Sequence, residues 1–389
     1  MDQLVQYFYK FLDETDTTFV RYIHDKINWK NRMIGLTGPR GVGKTTMILQ
    51  HIKQYHNTSD TLYVTAEDFY FASNRLLELA DIFTKQGGKY LFIDEIHKYS
   101  NWAKELKLIY DYHSNLNVIF IGSSIVDIKK GISDLSRRAV MYSMQGLSFR
   151  EYLQMFHSIT TATYTLEEVL QNKVDAKELP HPLPLFSQYL KTGYYPFALQ
   201  EDFNLRIQQV INQTLETDIP LFAGLNAETG RKLKHLLAII AKSVPFKPNF
   251  TKIADILSVS RNNIADYCLF IEEAGMIAQL REATGGIRGL GKVNKVYLDN
   301  TNLIYSLAQE NSNKGNVRET FFLNQTRVYN EVTASSVSDF QINELTFEIG
   351  GKNKTKKQLQ GVAHSFVVKD DVEYGHRNMI PLWHFGLMY

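Results

Sequence analysis

The stretch Gly38-Pro39-Arg40-Gly41-Val42-Gly43-Lys44-Thr45 points most directly at a reaction. It fits the phosphate-binding pattern G-x-x-x-x-G-K-[ST] at every position. The glycines let the backbone curl so that successive N–H groups face a polyphosphate. Lys44 can then bring a mobile cation to the β- and γ-phosphates. The Thr45 hydroxyl suits Mg²⁺, and Thr46 carries the binding stretch into the next element. Some fifty residues later, Asp94-Glu95 closes the apolar run Tyr90-Leu91-Phe92-Ile93. Asp94 is placed to face the Mg²⁺ shell of a nucleotide. Glu95, one residue on, is free to face the γ-phosphate and polarise an attacking water, which makes it the candidate base. Ser123 and Ser124 end another apolar run, where they can sense the γ-phosphate or the water, or equally cap the helix that follows.

These residues need a scaffold that brings loop ends together. Met33–Thr37 reads as a short strand before the glycine loop, and Thr46–Ile52 as a helix after it. Strand, loop, helix is the order that aims a helix N-terminus at an anion. Thr61–Thr65, Tyr90–Ile93, Asn117–Ser124 and Ala139–Met144 read as further strands. Fully apolar runs suit a parallel sheet covered on both faces, whose ligands bind beyond the carboxyl ends.

The GPRxxGKT loop, the strand ending Asp-Glu, the Gly122-Ser123-Ser124 strand end and the later Leu147–Leu153 stretch (LSFREYL) carry a resemblance. The chain resembles a group of prokaryotic AAA-type ATPases, often called archaeal-type ATPases, abundant in archaea and gut Bacteroidetes. The resemblance implies an ATP- and Mg²⁺-dependent core, a helical lid, a winged-helix segment and a restriction-endonuclease-like C-terminal domain. It implies an additional strand between the loop strand and the Asp-Glu strand, supplied by Thr61–Thr65. It also implies an arginine after the Ser-Ser strand, usually as Gly-Arg. Here the dipeptide is Arg137-Arg138, so Arg138 takes that place as a candidate for stabilising transition-state charge, in cis or across a subunit contact, with Arg40 as a second candidate.

Composition agrees with several globular cores. The chain has 389 residues, 44% hydrophobic and 22% charged, and a net charge of +2, so no global field calls for a nucleic-acid partner. Its one cysteine, Cys268, allows no intrachain disulfide. Neither a signal peptide nor a membrane-spanning run is apparent, so a cytoplasmic protein is expected.

Past Leu153 the patterns become helical, interrupted by the connector Leu179-Pro180-His181-Pro182-Leu183-Pro184. Thr251–Leu257, a Ser258-Val259-Ser260 turn and Arg261–Ala274 read as a helix-turn-helix, with Arg281–Val296 as its wing. Ser260–Ala274 holds one cation, Arg261, against Asp266, Glu272 and Glu273, which disfavours phosphate contact. The wing is more basic, with Arg281, Arg288, Lys292 and Lys295 against Glu282. Further on, Glu319, Asp339, Glu348 and Lys352 resemble the metal site of restriction-type nucleases. That pattern needs an acid, one residue, then Lys. Here the slot is Gly350, and Lys352 comes two residues late.

The expected fold is a multidomain α/β chain. Residues 1–145 form the P-loop NTPase core of AAA type with a parallel sheet, 146–235 a helical lid, 236–300 a winged helix and 301–389 a nuclease-like α/β domain. Three functions fit: an ATP-hydrolysing nucleotide switch acting on a protein or DNA partner, an ATP-gated metal-dependent nuclease, and a DNA-binding regulator with ATP as allosteric ligand. Assembly into an oligomer is compatible with each.

Overall fold

Apolar runs too short to make helices pair side by side in the N-terminal part of the chain. They form β1 (Met33–Thr37), β2 (Thr61–Thr65), β3 (Tyr90–Asp94), β4 (Asn117–Gly122) and β5 (Val140–Ser143), in the order β2-β3-β4-β1-β5. The computed structural model describes residues 1–122, 135, 137–175, 179–242, 245, 247–283, 291–308, 313–355 and 357–389. Every pairing in this sheet is parallel, with Thr65 opposite Asp94 and Thr37 opposite Gly122. The carboxyl ends of the strands therefore share one edge. β1 is buried at every residue and β4 at all but its first, as strands covered on both faces must be. Gly35 fits here because a Cβ would stand 2.4 Å from Met141 Sδ and 2.7 Å from Phe120 Cζ.

One expectation is corrected. Thr61–Thr65 does form a strand, but it lies at the sheet edge beside β3. The strand that separates the loop strand from the Asp94 strand in space is β4, which comes after both in sequence. Apolar runs identify strands; only crossover packing decides their neighbours.

Helices α1 (Asp2–Glu14), α2 (Lys44–Tyr55), α3 (Leu76–Lys85) and α4 (Trp102–Tyr112) accompany the sheet. α1 buries Leu4, Phe8 and Leu12 at i, i+4, i+8, and α3 buries Leu76, Leu79, Ala80 and Phe83 at i, i+3, i+4, i+7. Burial of each such side chain stabilises by about 1.5–3 kcal/mol. At the far end of α2, the His51 ring stacks on Trp29 with centroids 3.6 Å apart. Its Nδ1 lies 3.0 Å from His24 Nε2, and its Nε2 lies 3.1 Å from His56 Nε2. Burial, then the His56 and His24 rings, push the His51 pKa down to about 3, so the ring is neutral.

The chain divides into two compact units. The first is Met1–Gln145 with Asp218–Asn226; the second is Gly146–Thr217 with Ala227–Tyr389. Asp218–Asn226, expected within the helical lid, thus belongs with the sheet. The rest of the segment expected as a lid, the expected winged helix and the C-terminal segment share the second unit. There, helices Ala227–Lys242, Phe250–Leu257 and Arg261–Glu273 precede the antiparallel pair β6 (Ile277–Arg281) and β7 (Val293–Leu298). Ser260 caps its helix by accepting from the Asn263 N–H.

A second sheet follows, ordered β12-β11-β10-β9-β8: β8 (Thr333–Ala334), β9 (Phe340–Ile342), β10 (Leu345–Gly350), β11 (Ser365–Lys369) and β12 (Met379–Pro381). β9 and β10 pair antiparallel, and β10, β11 and β12 run parallel. The C-terminal Tyr389 is buried, and its carbonyl accepts from Ser148 Oγ and from Arg150 Nε at 3.0 Å. Phe149, Phe186, Tyr189 and Phe321 meet edge-to-face or tilted around that junction, so the two ends of this unit share one core.

Candidate functional site

β1 ends at Thr37, and the next turn is one that glycine makes at least cost. Gly38, Gly41 and Gly43 have φ of 155°, 83° and 94°. A Cβ on Gly38 would stand 2.2 Å from the Met144 carbonyl oxygen. Gly43 hands over directly to α2, so the loop meets a helix N-terminus with its unsatisfied N–H groups and partial positive charge. Lys44 Nζ donates to the carbonyls of Gly38 at 2.8 Å and Pro39 at 2.7 Å, inside the ring of its own loop. Burial pushes its pKa down to about 8, against the opposing pull of Glu95 and Asp94. From behind, the buried Arg21 guanidinium donates to the Val42 carbonyl and, at 2.8 Å, to that of Gln145.

β3 delivers Asp94 to the same place. One carboxylate oxygen accepts from Thr45 Oγ1 at 2.5 Å and from the Tyr63 hydroxyl at 2.9 Å. The other accepts from the Glu95 N–H at 2.7 Å. Burial, and then the Asp94 charge, raise the Tyr63 phenol well above its ordinary range, so it remains a donor. Thr45 and Asp94 are hard oxygen ligands brought together from two elements, a donor set that fits Mg²⁺ arriving with a nucleotide.

Glu95 adopts φ 48°, a left-handed turn that ends the strand. Its Oε2 lies 3.0 Å from Nε2 of His97, whose side chain is fully buried. Burial, with Lys98 adding to it, holds the His97 pKa down to about 3. The ring is neutral, and its Nε2–H donates to the carboxylate. Asp218 is the third acid here. Its Oδ2 accepts from Arg40 Nε and its Oδ1 from Lys98 Nζ, each at 3.1 Å. Its side chain is 4% exposed.

The structure brings together Lys44, Thr45, Asp94 and Glu95, the residues that the loop pattern and the carboxylate pair single out. Thr46 stands exposed at the start of α2. Ser123 and Ser124 lie outside the described residues. Arg138 does not join the loop. It pairs with Asp111 through Nε at 2.9 Å and a second nitrogen at 3.0 Å. Asp111 closes α4 and Arg138 precedes β5, so the pair lies where strands begin, the sheet edge opposite the phosphate loop. Sequence reasoning missed Arg21, Tyr63, His97 and Asp218. His97 stands two residues from Glu95, a usable signal. Asp218 stands 178 residues from Arg40 and carries none.

In the second unit, Glu319, Asp339 and Glu348 are held by lysines and other donors. Lys295 Nζ lies 3.3 Å from Glu319 Oε2 and 3.6 Å from Asp339 Oδ1. The Tyr297 hydroxyl donates to Glu319 at 2.7 Å and the Ile349 N–H to Asp339 at 2.9 Å. Burial, then the Glu319 charge, push Asp339 up to about 6. Glu348 pairs with Lys354 Nζ and accepts from Ser338 Oγ. The Lys352 carbonyl accepts from Lys369 Nζ at 3.1 Å, while the lysine paired with Glu348 is Lys354. Among the described residues, no group of three or more His, Cys, Asp or Glu is arranged to hold a metal ion. In the segment expected to form a wing, Arg281 pairs with Glu272 at 3.0 Å; Arg288 lies outside the described residues.

Residues 30–153 match the family described as AAA domain, and residues 183–314 match one described as a domain of unknown function, DUF8612. The first segment thus has the fold of a P-loop NTPase and is similar to the AAA domain family. The second match ends before Glu319. Two proteins of Methanocaldococcus jannaschii are similar. Uncharacterized protein MJ1637 is 24% identical over 275 residues, 65% of this chain and 57% of that protein. Uncharacterized protein MJ1544 is 23% identical over 368 residues, 87% of this chain and 79% of that protein. The chain therefore spans little more than half the length of MJ1637. Among solved structures, the Walker-type ATPase PABY2304 of Pyrococcus abyssi superposes with a TM-score of 0.45 at 13% identity, covering 76% of this chain and 99% of that one. No helix among the described residues is long and apolar enough to cross a membrane.

Proposed function

We propose that the protein binds ATP with Mg²⁺ at Gly38–Thr46, hydrolyses it, and acts as a nucleotide-dependent switch on a partner. The observation that carries this is the convergence of Lys44, Thr45, Asp94 and Glu95 at one end of the sheet. Loop N–H groups and the Lys44 ammonium hold the β- and γ-phosphates. Mg²⁺, held by Thr45 and Asp94, would offset phosphate charge. Glu95 accepts a proton from the water that attacks the γ-phosphorus as the bond to the bridging oxygen breaks, leaving ADP and phosphate. His97 aims Glu95 by its neutral N–H, and Tyr63 fixes Asp94. Arg138, paired at the opposite sheet edge, is left with a role across a subunit contact in an oligomer.

In the second unit, the three helices and the β6–β7 hairpin support reading a winged helix, and the pairing of Arg281 with Glu272 favours protein contact over DNA. The second sheet supports a nuclease-like scaffold without hydrolysis. The observation behind that scaffold is the seat of Lys354: its Cβ, Cγ and Cδ stand 2.6, 2.6 and 2.7 Å from the place of a Cβ on Gly350.

Calorimetric titration with Mg·ATP tests the site. Lys44→Ala is expected to remove binding, since the phosphates lose the mobile cation of the loop. Unchanged affinity would reject the assignment.

A further inference from the structure

Asp218 is out of keeping with a phosphate site. An acid beside a polyphosphate repels it, and burial of an acid costs more unless cations answer it. Here two cations do. Arg40 belongs to the phosphate loop, and Lys98 follows Glu95 by three residues; both point their charge at the one buried carboxylate, at 3.1 Å each. Asp218 opens the segment Asp218–Asn226, which packs with the sheet although the chain on both sides of it, Thr217 and Ala227, belongs to the second unit. Ile219 is buried, and the short helix Ile219–Ala223 ends at Gly224 with φ 65°. The segment is thus tethered to the loop by a charge contact at its first residue.

We propose that Asp218 is the residue by which the site distinguishes a nucleoside triphosphate from a diphosphate. The inference rests on the nucleotide-binding reading above. A γ-phosphate is a stronger, multiply charged acceptor for Arg40 and Lys98 than a single carboxylate. As those cations turn to it, Asp218 loses two charge-assisted hydrogen bonds in a buried position, and its segment leaves its seat. A diphosphate lacks the competing group and leaves both pairs intact. Because both ends of the segment run into the second unit, the chain itself passes the displacement on.

The protein and its Asp218→Asn variant are titrated with Mg·ATPγS and Mg·ADP. The variant keeps shape and removes the charge. Its ratio of ATPγS to ADP affinity is expected to rise about tenfold, equivalent to 1.4 kcal/mol. A ratio unchanged from the wild type overturns the proposal. Hydrogen exchange on the wild type covers a variant that fails to fold: amides of residues 219–226 are expected to exchange faster with ATPγS than with ADP. Equal exchange with the two nucleotides overturns it too. A wild type that binds neither nucleotide, indistinguishable from Lys44→Ala, overturns both this inference and the reading on which it rests.

Discussion

Adjacent carboxylates at the end of β3 suit different proposed tasks because their surroundings differ. Asp94 is 4% exposed and accepts three hydrogen bonds, so its oxygens are held in place, as the proposed ligand role requires. Glu95 turns out of the strand beside the neutral imidazole of His97, whose N–H holds the carboxylate without bringing a charge to it. Glu95→Gln is expected to keep ATP binding and to lower turnover by about 10²–10⁴-fold, the usual cost of losing a general base. An undiminished kcat would move the base elsewhere. Lys44 gives a pH signature. Its ammonium has a pKa near 8, and bound phosphate favours the charged form. ATP binding therefore takes up a proton above pH 8, and affinity should fall as pH rises from 8 to 9.5, by up to tenfold per unit. A flat affinity over that range would show that the lysine does not titrate there. The loop residues were legible because a polyphosphate restricts which residues can stand where. Tyr63 was not, since a tyrosine in an apolar strand says nothing of the acid its hydroxyl meets.

At the level of elements, α2 links two chemistries: the phosphate loop at its start and the His24–His51–His56 contacts near its end. Around His51 lie the His24 and His56 rings, Trp29, Tyr55 and Phe92, with Asp25 on His24 and Asp60 acting on His56. The folded pKa of His51 is about 3 against an ordinary value of 6.5. With a depressed folded pKa, stability is fully present above about 6.5 and is lost as pH falls toward 3, at no more than about 1.4 kcal/mol per unit for this ring. Thermal melts from pH 7 to 4 should show a steeper decline for the wild type than for His51→Gln. Parallel declines would exclude the ring as the source. Apolar runs revealed the strands. The order β2-β3-β4-β1-β5 was beyond them, because neighbours in a parallel sheet are chosen by crossover packing.

At the scale of the whole molecule, the second unit places lysines against the acids of the expected metal site. Lys295 and Lys354 answer Glu319, Asp339 and Glu348, so the cation positions near them are supplied from within the chain. Incubation with plasmid, single-stranded DNA and RNA in Mg²⁺ or Mn²⁺ is expected to leave all three intact. Cleavage that disappears in Glu348→Ala would overturn this and make Lys354 the functional lysine. The nuclease pattern looked broken at Gly350 in sequence. In space, a lysine four residues later lays its stem where that side chain would have stood.

The sequence by itself determined the phosphate loop, the carboxylate pair and the strands that present them, because each depends on residues near one another in the chain. Tertiary structure decided what depends on distant residues meeting. It set β4 between β1 and β3, turned Arg138 to Asp111, and joined the C-terminal Tyr389 to Ser148 and Arg150. It also brought Asp218 to Arg40 and Lys98. An ion pair or a sheet neighbour is fixed by where the folded backbone passes, and the residue types alone leave many partners equally suitable.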